Sequence, residues 1–266
     1  MKRAVFAVLL GFASAAFAWT PPPNPDPQQI LFSAVEDRQA GRYEDALAKH
    51  LWFHKEALKI RPSLGAVRQS FALAYWAHLA AKYPPALDAL KKVRDEAGED
   101  VRKGREPVAA FGDYARINDE LDDPLATVSL FLSTEKSDPA LAKKLYPAAE
   151  EALLEGKYFE VAGRYVDPAA EMKHATETYR NMGKRPPREG MDMAALNERF
   201  FATASGRLVS LLVRVNRKED AERVAEQALT VSSSETVKAT LERARQGEMP
   251  EPFITRQDRQ NLKNSM

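Results

Sequence analysis

The hexapeptide Gly41-Arg42-Tyr43-Glu44-Asp45-Ala46 decides the fold, because its pattern of a turn residue, an aromatic residue and a small residue recurs along the chain. Related segments lie at residues 81–86 and 156–161, and a weaker one lies at 216–221. Seven residues before the four segments stand residues of small or modest size, which are Ala34, Ala74, Ala149 and Val209. In an antiparallel helix pair, a small residue permits close approach and a glycine or asparagine turns the chain. The pattern therefore predicts helical hairpins that repeat.

The apolar residues between Gln28 and Gly247 follow a helical spacing of three and four almost throughout. Two stretches rich in β-branched residues, Thr127–Leu132 and Val209–Val215, are the best candidates for strands. Each of them lies inside a longer stretch with helical spacing, so we expect both to be helical. The sequence therefore predicts an all-α fold.

The beginnings and ends of several helices can be predicted from capping residues. Asp123, Asp138 and Asp167 each precede a proline, which predicts an N-cap followed by proline at the first helical position. Ser232 and Glu235 have the spacing of a capping box, and the helix they open is expected to end at Gly247. Further breaks are predicted at four other places, which are Arg61-Pro62, Gly98, Gly104 and residues 183–187.

With these hairpins the chain resembles the tetratricopeptide repeat family, whose unit is a helix–turn–helix of about 34 residues. The spacing between units is irregular in this chain. The 75 residues between Tyr83 and Tyr158 leave room for a degenerate unit near Val108–Leu132, and the 60 residues between Tyr158 and Lys218 imply an inserted helix after Pro168. The resemblance implies an α-solenoid of antiparallel helix pairs.

The resemblance and the flanking composition together predict four segments. Residues 28–247 are expected to form the solenoid, with Ser234–Gln246 as the C-terminal capping helix that such a stack needs. Residues 19–27 hold five prolines in nine positions and form a stiff leader. Residues 248–266 are polar and weakly patterned, which predicts a flexible C-terminal tail.

Residues 1–18 have the features of a secretory signal peptide. Lys2 and Arg3 precede an apolar run, Ala4–Ala16, and Ala16-Phe17-Ala18 matches the small-x-small pattern of a cleavage site. The run is shorter than the roughly 20 residues that span a bilayer, so no membrane span is expected after cleavage. An exported chain without cysteine fits a bacterial periplasm best, with secretion as the second choice.

The composition excludes several kinds of site. With no cysteine, the chain has no thiol nucleophile, disulfide, iron–sulfur cluster or cysteine-type zinc site. The net charge of +1 provides no field for nucleic acid. The sequence holds no glycine-rich phosphate loop or nucleophile elbow. We therefore expect no cofactor, no catalytic residue and no enzymatic activity.

His50 and His54 are the one pair with the spacing of metal ligands on a helix. No third ligand can be identified in the sequence, so we expect the pair to pack inside the protein and no metal to bind. A helical cell-envelope enzyme or metal-binding protein that uses this pair is the alternative.

The family resemblance also implies a binding surface. In tetratricopeptide repeat proteins the first helix of each unit lines a concave groove that holds a peptide or a segment of a partner protein. Counted from the small packing positions, the partner-binding residues expected in this groove are Arg38, Arg68, Phe71, Tyr75, His78, Tyr146 and Arg214. Packing between repeats is an equal alternative for Phe71 and Tyr75. The sequence thus predicts a scaffold that binds another protein of the cell envelope.

Overall fold

The computed structural model describes residues 19–184, 186, 190, 192–255, 257–258 and 261. In this part of the chain there are thirteen α-helices, one short 3-10 helix at Pro62–Leu64 and no β-strand. The α-helices are α1 (Pro27–Gln39), α2 (Tyr43–Ile60), α3 (Gly65–Arg68), α4 (Phe71–Ala80), α5 (Pro84–Arg102), α6 (Pro107–Glu120), α7 (Pro124–Ser137), α8 (Pro139–Glu155), α9 (Phe159–Tyr165), α10 (Pro168–Gly183), α11 (Met193–Arg214), α12 (Lys218–Val231) and α13 (Glu235–Arg245).

The predicted all-α class is therefore confirmed. Thr127–Leu132 lies within α7, and Val209–Val215 belongs to α11 up to Arg214, so neither stretch is a strand. α10 is the helix predicted after Pro168, and α6 and α7 occupy the place of the degenerate unit. The predicted signal peptide, residues 1–18, lies outside the described residues, as do two positions of the predicted break at 183–187.

The chain divides into two compact units between Asp88 and Ala89. In the first unit α1 packs on α2, and α2 packs on α4. The buried residues that these helices share are Leu31, Phe53, Ala57, Leu64 and Ala72. The turn aromatics of the first two predicted hairpins, Tyr43 and Tyr83, lie with ring centroids 5.7 Å apart.

The second unit is built around α11. This 22-residue helix packs against α10, α12 and α13, while α8 packs against α6, α7 and α9. One continuous apolar core runs through the second unit and includes the fully buried side chains of Phe111, Phe131, Met172, Phe201 and Leu212.

Six helices of the described chain end with the same turn. In α1, α5, α6, α8, α11 and α13, the second residue after the helix has a left-handed conformation, with φ between 58° and 79°. The backbone N–H of the next residue then donates to a carbonyl in the last turn, as from Arg42 to Asp37 (2.8 Å) and from Arg217 to Leu212 (2.8 Å). This is the Schellman arrangement, which satisfies carbonyls that have no partner within the helix.

The register of the third hairpin differs from the prediction by one residue. Gly156 was expected to turn the chain, but it has the right-handed conformation and Lys157 has the left-handed one, with φ 62°. A Cβ atom at Gly156 would lie 2.9 Å from Cδ2 of Tyr158, so the glycine makes room for this ring. The sequence pattern therefore identified the turn, but it wrongly gave Gly156 the left-handed position that Lys157 occupies.

The aspartates predicted as N-caps act as such. The carboxylates of Asp123, Asp138 and Asp167 each accept backbone N–H groups from the first turn of α7, α8 and α10. The capping box of α13 was placed too early. Its N-cap is Ser234, which accepts from the N–H of Val237 (3.3 Å), while Ser232 donates to the Glu198 carboxylate (2.7 Å).

The two glycines predicted to break the chain near residue 100 have different roles. Gly104 follows α5 with φ 69°, as expected for a helix end. Gly98 instead lies inside α5, where a Cβ atom would come within 2.9 Å of Cε2 of Tyr114. The missing side chain thus lets α5 approach α6 closely, and the predicted break at Gly98 is wrong.

None of the helices in the described part of the chain combines the length and the apolar composition that crossing a membrane requires.

We expect Gly41→Ala to lower the free energy of unfolding by about 1 kcal/mol, because an L residue is strained in the left-handed conformation. Space is not limiting, since a Cβ atom at Gly41 would meet nothing within 4 Å. The matched control is Gly65→Ala in α3, where φ is −53° and the space is equally open. This change is expected to leave stability the same or raise it by up to about 1 kcal/mol. Urea denaturation of both variants tests the turn, and equal effects of the two would contradict it.

Candidate functional site

Three of the predicted partner-binding residues are buried inside the protein. Arg38 and His78 are each 6% exposed, and Tyr146 is 4% exposed. A side chain with so little accessible surface cannot anchor a partner protein without rearrangement, so the assignment of these three residues to a binding surface is corrected. The side chains of these residues pack against the chain itself.

The other predicted residues of the first unit are more accessible. Phe71 is 63% exposed, and its ring centroid lies 6.5 Å from that of the partly buried Tyr75. The Arg68 guanidinium donates to the backbone carbonyl of His54 (2.9 Å). Phe71 therefore offers apolar surface, while Arg68 is engaged within the unit.

The imidazoles of His50 and His54 pack on one buried indole. Each ring centroid lies 6.0 Å from that of Trp76, with His50 stacked and His54 edge-on. Burial lowers the pKa of both histidines to about 3, and the positive charges of Arg38 and Arg68 act in the same direction. The two rings are therefore neutral over the physiological pH range. The described residues contain no group of three or more His, Asp or Glu side chains able to hold a metal ion.

A buried ion pair joins the two helices of the first hairpin. The Lys49 ammonium donates to the Asp37 carboxylate and to Oγ of Ser33 (2.6 Å), and Arg42 Nε donates to the same carboxylate (2.8 Å). Asp37 and Lys49 are 4% and 7% exposed. Asp37 interrupts the apolar spacing of α1 in the sequence, and this interruption was the signal for a buried charge.

The second unit contains an acidic pocket of about 150 Å³ between α8, α10 and α11. Its polar lining comes from Glu150 and Glu151 of α8, Glu171 and His174 of α10, and Arg207 of α11. The hydroxyl of Tyr146 donates to Oε1 of Glu150 (3.0 Å) from the buried side. Sequence reasoning identified Tyr146 on this face but missed the contributions of α10 and α11.

Two of the three carboxyl groups of this pocket, those of Glu150 and Glu171, have raised pKa values. Burial raises the pKa of Glu150 to about 7, and the neighbouring Glu171 carboxylate raises it further, whereas the Tyr146 hydroxyl and the Arg207 cation oppose the shift. Burial also raises the pKa of Glu171, against the effect of His174. Shifts of this kind are common where carboxyl groups share a confined space. The charge of the pocket therefore changes near neutral pH.

A larger groove, which we call the α11 groove, adjoins the acidic pocket at Arg207. Its volume is about 380 Å³, and it is bounded by α8, by α11 and by the segment Met249–Pro252. Arg207 forms an ion pair with Glu151 (2.7 Å) at the junction. At the other end lies Arg214, whose guanidinium carbon is 4.7 Å from the ring centroid of Phe159. Arg214 is exposed, and its role in binding stays a prediction.

The far wall of the α11 groove is part of the predicted flexible tail. Residues Met249 to Phe253 carry no helix or strand and pack on α11 instead of leaving the protein. The Phe253 ring lies 5.6 Å from that of Phe200 at 81°, and the Arg199 guanidinium lies 5.0 Å from the same ring. Arg199 also donates to the carbonyl of Phe253 (3.2 Å). Helix α11 therefore already binds a short, non-helical, proline-containing segment.

Two patterns in the sequence are consistent with the packing of Met249–Phe253 on α11. Two prolines at alternate positions, Pro250 and Pro252, exclude a helix and favour an extended backbone, and Phe253 follows them. On α11, the residues Phe200, Arg207 and Arg214 are spaced at seven and share one face. Both patterns are visible in the sequence, but their contact depends on the tertiary fold.

Comparison of the chain with protein-family models, with curated proteins and with solved structures finds no match. The candidate site therefore rests on its own geometry, and the resemblance to tetratricopeptide repeats rests on the hairpins described above.

We expect Glu150→Gln to stabilise the protein more at about pH 8 than at about pH 5. Between its ordinary value of 4.5 and about 7, the unfolded state has lost the Glu150 proton while the folded state retains it. The stability of the natural chain therefore falls as pH rises through this window, by about 1–3 kcal/mol after allowance for partial exposure. The variant stays neutral and does not share this loss.

Calorimetric melting of both chains at the two pH values measures the difference. Glu160→Gln on α9 is the control, because this side chain is exposed and should show no such pH dependence. A Glu150→Gln effect that is the same at both pH values would disprove the assignment.

Proposed function

We propose that this protein is an exported, tetratricopeptide-like scaffold that binds an extended, proline-containing segment of a partner protein in the α11 groove. The single observation that carries the proposal is that α11 already holds such a segment of its own chain, Met249–Phe253. The same chemistry in a partner would be recognised by the same residues. A segment with prolines is largely extended before it binds, so little conformational entropy is lost on docking.

The residue types of the groove support a binding role. Arginine and aromatic side chains are the commonest anchors of protein interfaces, and α11 presents Arg199, Phe200, Arg207 and Arg214. Arg199 and Phe200 contact the ring of Phe253, whereas Arg207 and Arg214 line the open space beside Met249–Pro252. The open part of the groove is therefore available to a partner segment longer than the one already bound.

The proposed solenoid of antiparallel helix pairs is supported by the turns. The five helix pairs that correspond to predicted hairpins are α1–α2, α4–α5, α6–α7, α8–α9 and α11–α12. Each has a linker of three residues, and four of these linkers contain a left-handed residue. The α11 groove lies between α8 and α11, which are the first helices of the third and fourth predicted hairpins. This is the position at which the family resemblance implies a binding groove.

Export to the periplasm is part of the proposal and is supported by residues 1–18 and by the absence of cysteine. We assign the protein no catalytic activity, because the groove chemistry is that of recognition.

The proposal is tested with a fluorescein-labelled peptide that has the sequence of residues 248–255. In the full chain, Phe253→Ala loosens the resident segment and should allow the peptide to bind in trans. We expect fluorescence anisotropy to show binding at least about 5-fold tighter than to the natural chain, since removal of a partly buried aromatic anchor is worth about 1 kcal/mol or more. Addition of Phe200→Ala to this variant should abolish the gain.

Ile254→Ala is the matched control, because Ile254 neighbours Phe253 but is 50% exposed. It should behave as the natural chain does. A scrambled peptide should bind none of the variants. If the Phe253→Ala chain fails to bind the peptide saturably, or binds the scrambled peptide equally well, the groove is not a peptide site and the proposal is wrong.

A further inference from the structure

The residue that follows the predicted cleavage site, Trp19, is bound to the first unit by three contacts. Its backbone nitrogen donates to Oδ1 of Asp45 (3.2 Å). Its ring lies edge-on to that of Trp52, with centroids 6.2 Å apart. The Lys49 ammonium lies 5.7 Å from the Trp19 ring centroid. We call Asp45, Lys49 and Trp52 the Trp19 seat.

The Trp19 seat is rigid and lies on one helix. Its three residues follow a spacing of four and three along α2, so they share one face. The Lys49 ammonium is fixed by its bonds to Ser33 and Asp37. The seat therefore presents a carboxylate, a fixed cation and an aromatic edge at positions set by the core of the unit. This arrangement suits an amino-terminal tryptophan. The Asp45 carboxylate matches the positive amino group, and Lys49 and Trp52 match the aromatic ring.

We propose that hydrolysis of the Ala18–Trp19 peptide bond creates an α-ammonium group that docks on Asp45 as a structural part of the first unit. A leader-removing protease supplies the catalyst and water is the co-reactant. The acyl carbon of Ala18 takes the hydroxyl group and becomes a carboxylate, while the nitrogen of Trp19 takes a proton and becomes an amine. A second proton from solvent makes it an ammonium at neutral pH. This inference rests on the export proposed above.

Cleavage changes the strength of this contact. Before cleavage, the nitrogen of Trp19 is a neutral amide with one hydrogen. Afterwards it carries a full positive charge and three hydrogens, so its bond to the Asp45 carboxylate becomes charge-assisted. The leader is also held at its other end, where Arg61 pairs with Asp26 (3.2 Å). Processing thus strengthens the contact between the first residue of the leader and α2.

The test compares two exported chains, one that starts at Trp19 and one that carries a single additional alanine before Trp19. In the second chain the nitrogen of Trp19 is an amide again. Each chain is also made with Asp45→Asn, and melting temperatures are measured by calorimetry. We expect Asp45→Asn to lower the melting temperature by about 1–4 °C more in the chain that starts at Trp19. Glu44→Gln removes a neighbouring exposed charge of α2 and is expected to have the same effect in both chains.

Amino-terminal sequencing of the exported protein is the second measurement. It should identify Trp19 as the first residue. A different first residue would overturn the cleavage site and leave the α11 groove unaffected, since the peptide test described above does not involve the first unit. Equal effects of Asp45→Asn in the two chains would overturn the docking of the ammonium even if sequencing confirms the site.

Discussion

The carbonyl groups at the end of a helix need partners, and in this protein the next helix begins only a few residues later. Six helix ends in the described chain meet this constraint with one left-handed residue and a backbone hydrogen bond back into the last turn. The turn is short, so the direction of each new helix is fixed by the end of the previous one. The turn thereby contributes to the packing of neighbouring helices such as α8 on α9 and α11 on α12.

The length of α11 explains why the acidic pocket and the α11 groove adjoin. A helix of 22 residues presents Phe200, Arg207 and Arg214 on one face over three turns and more. Arg207 belongs to the lining of both cavities and forms an ion pair with Glu151 between them. Its cation also favours the charged form of Glu150. One side chain, Arg207, therefore contributes both to the electrostatics of the pocket and to the lining of the groove.

Local features of the fold were predictable because they depend on neighbours in sequence. The N-caps at Asp123, Asp138 and Asp167 could be predicted from an aspartate before a proline. The left-handed conformation of Gly104 could be predicted from a glycine at the end of a helix. Gly98 was assigned wrongly because it makes room for the ring of Tyr114, which reaches it only through packing of α6 on α5. Gly156 was assigned wrongly because it makes room for the ring of Tyr158, a side-chain position that the sequence pattern does not give. In the candidate site, Arg214 could be predicted from helical spacing. Glu171, Arg207 and Phe253 could not, since three separate segments of the chain bring them to the site.

The buried ion pair of Asp37 and Lys49 makes the pairing of α1 with α2 specific, which matters in a chain of similar hairpins. The first helix of one hairpin resembles the others, so it can pair with a wrong second helix during folding. Lys49 is the seventh residue of α2, and the seventh residues of α5, α7, α9 and α12 are Leu90, Leu130, Tyr165 and Val224. None of these four side chains is a cation. On any of those helices α1 would bury the Asp37 carboxylate against an uncharged side chain, which is strongly unfavourable. The ion pair thus favours the pairing of α1 with α2 over its pairing with α5, α7, α9 or α12.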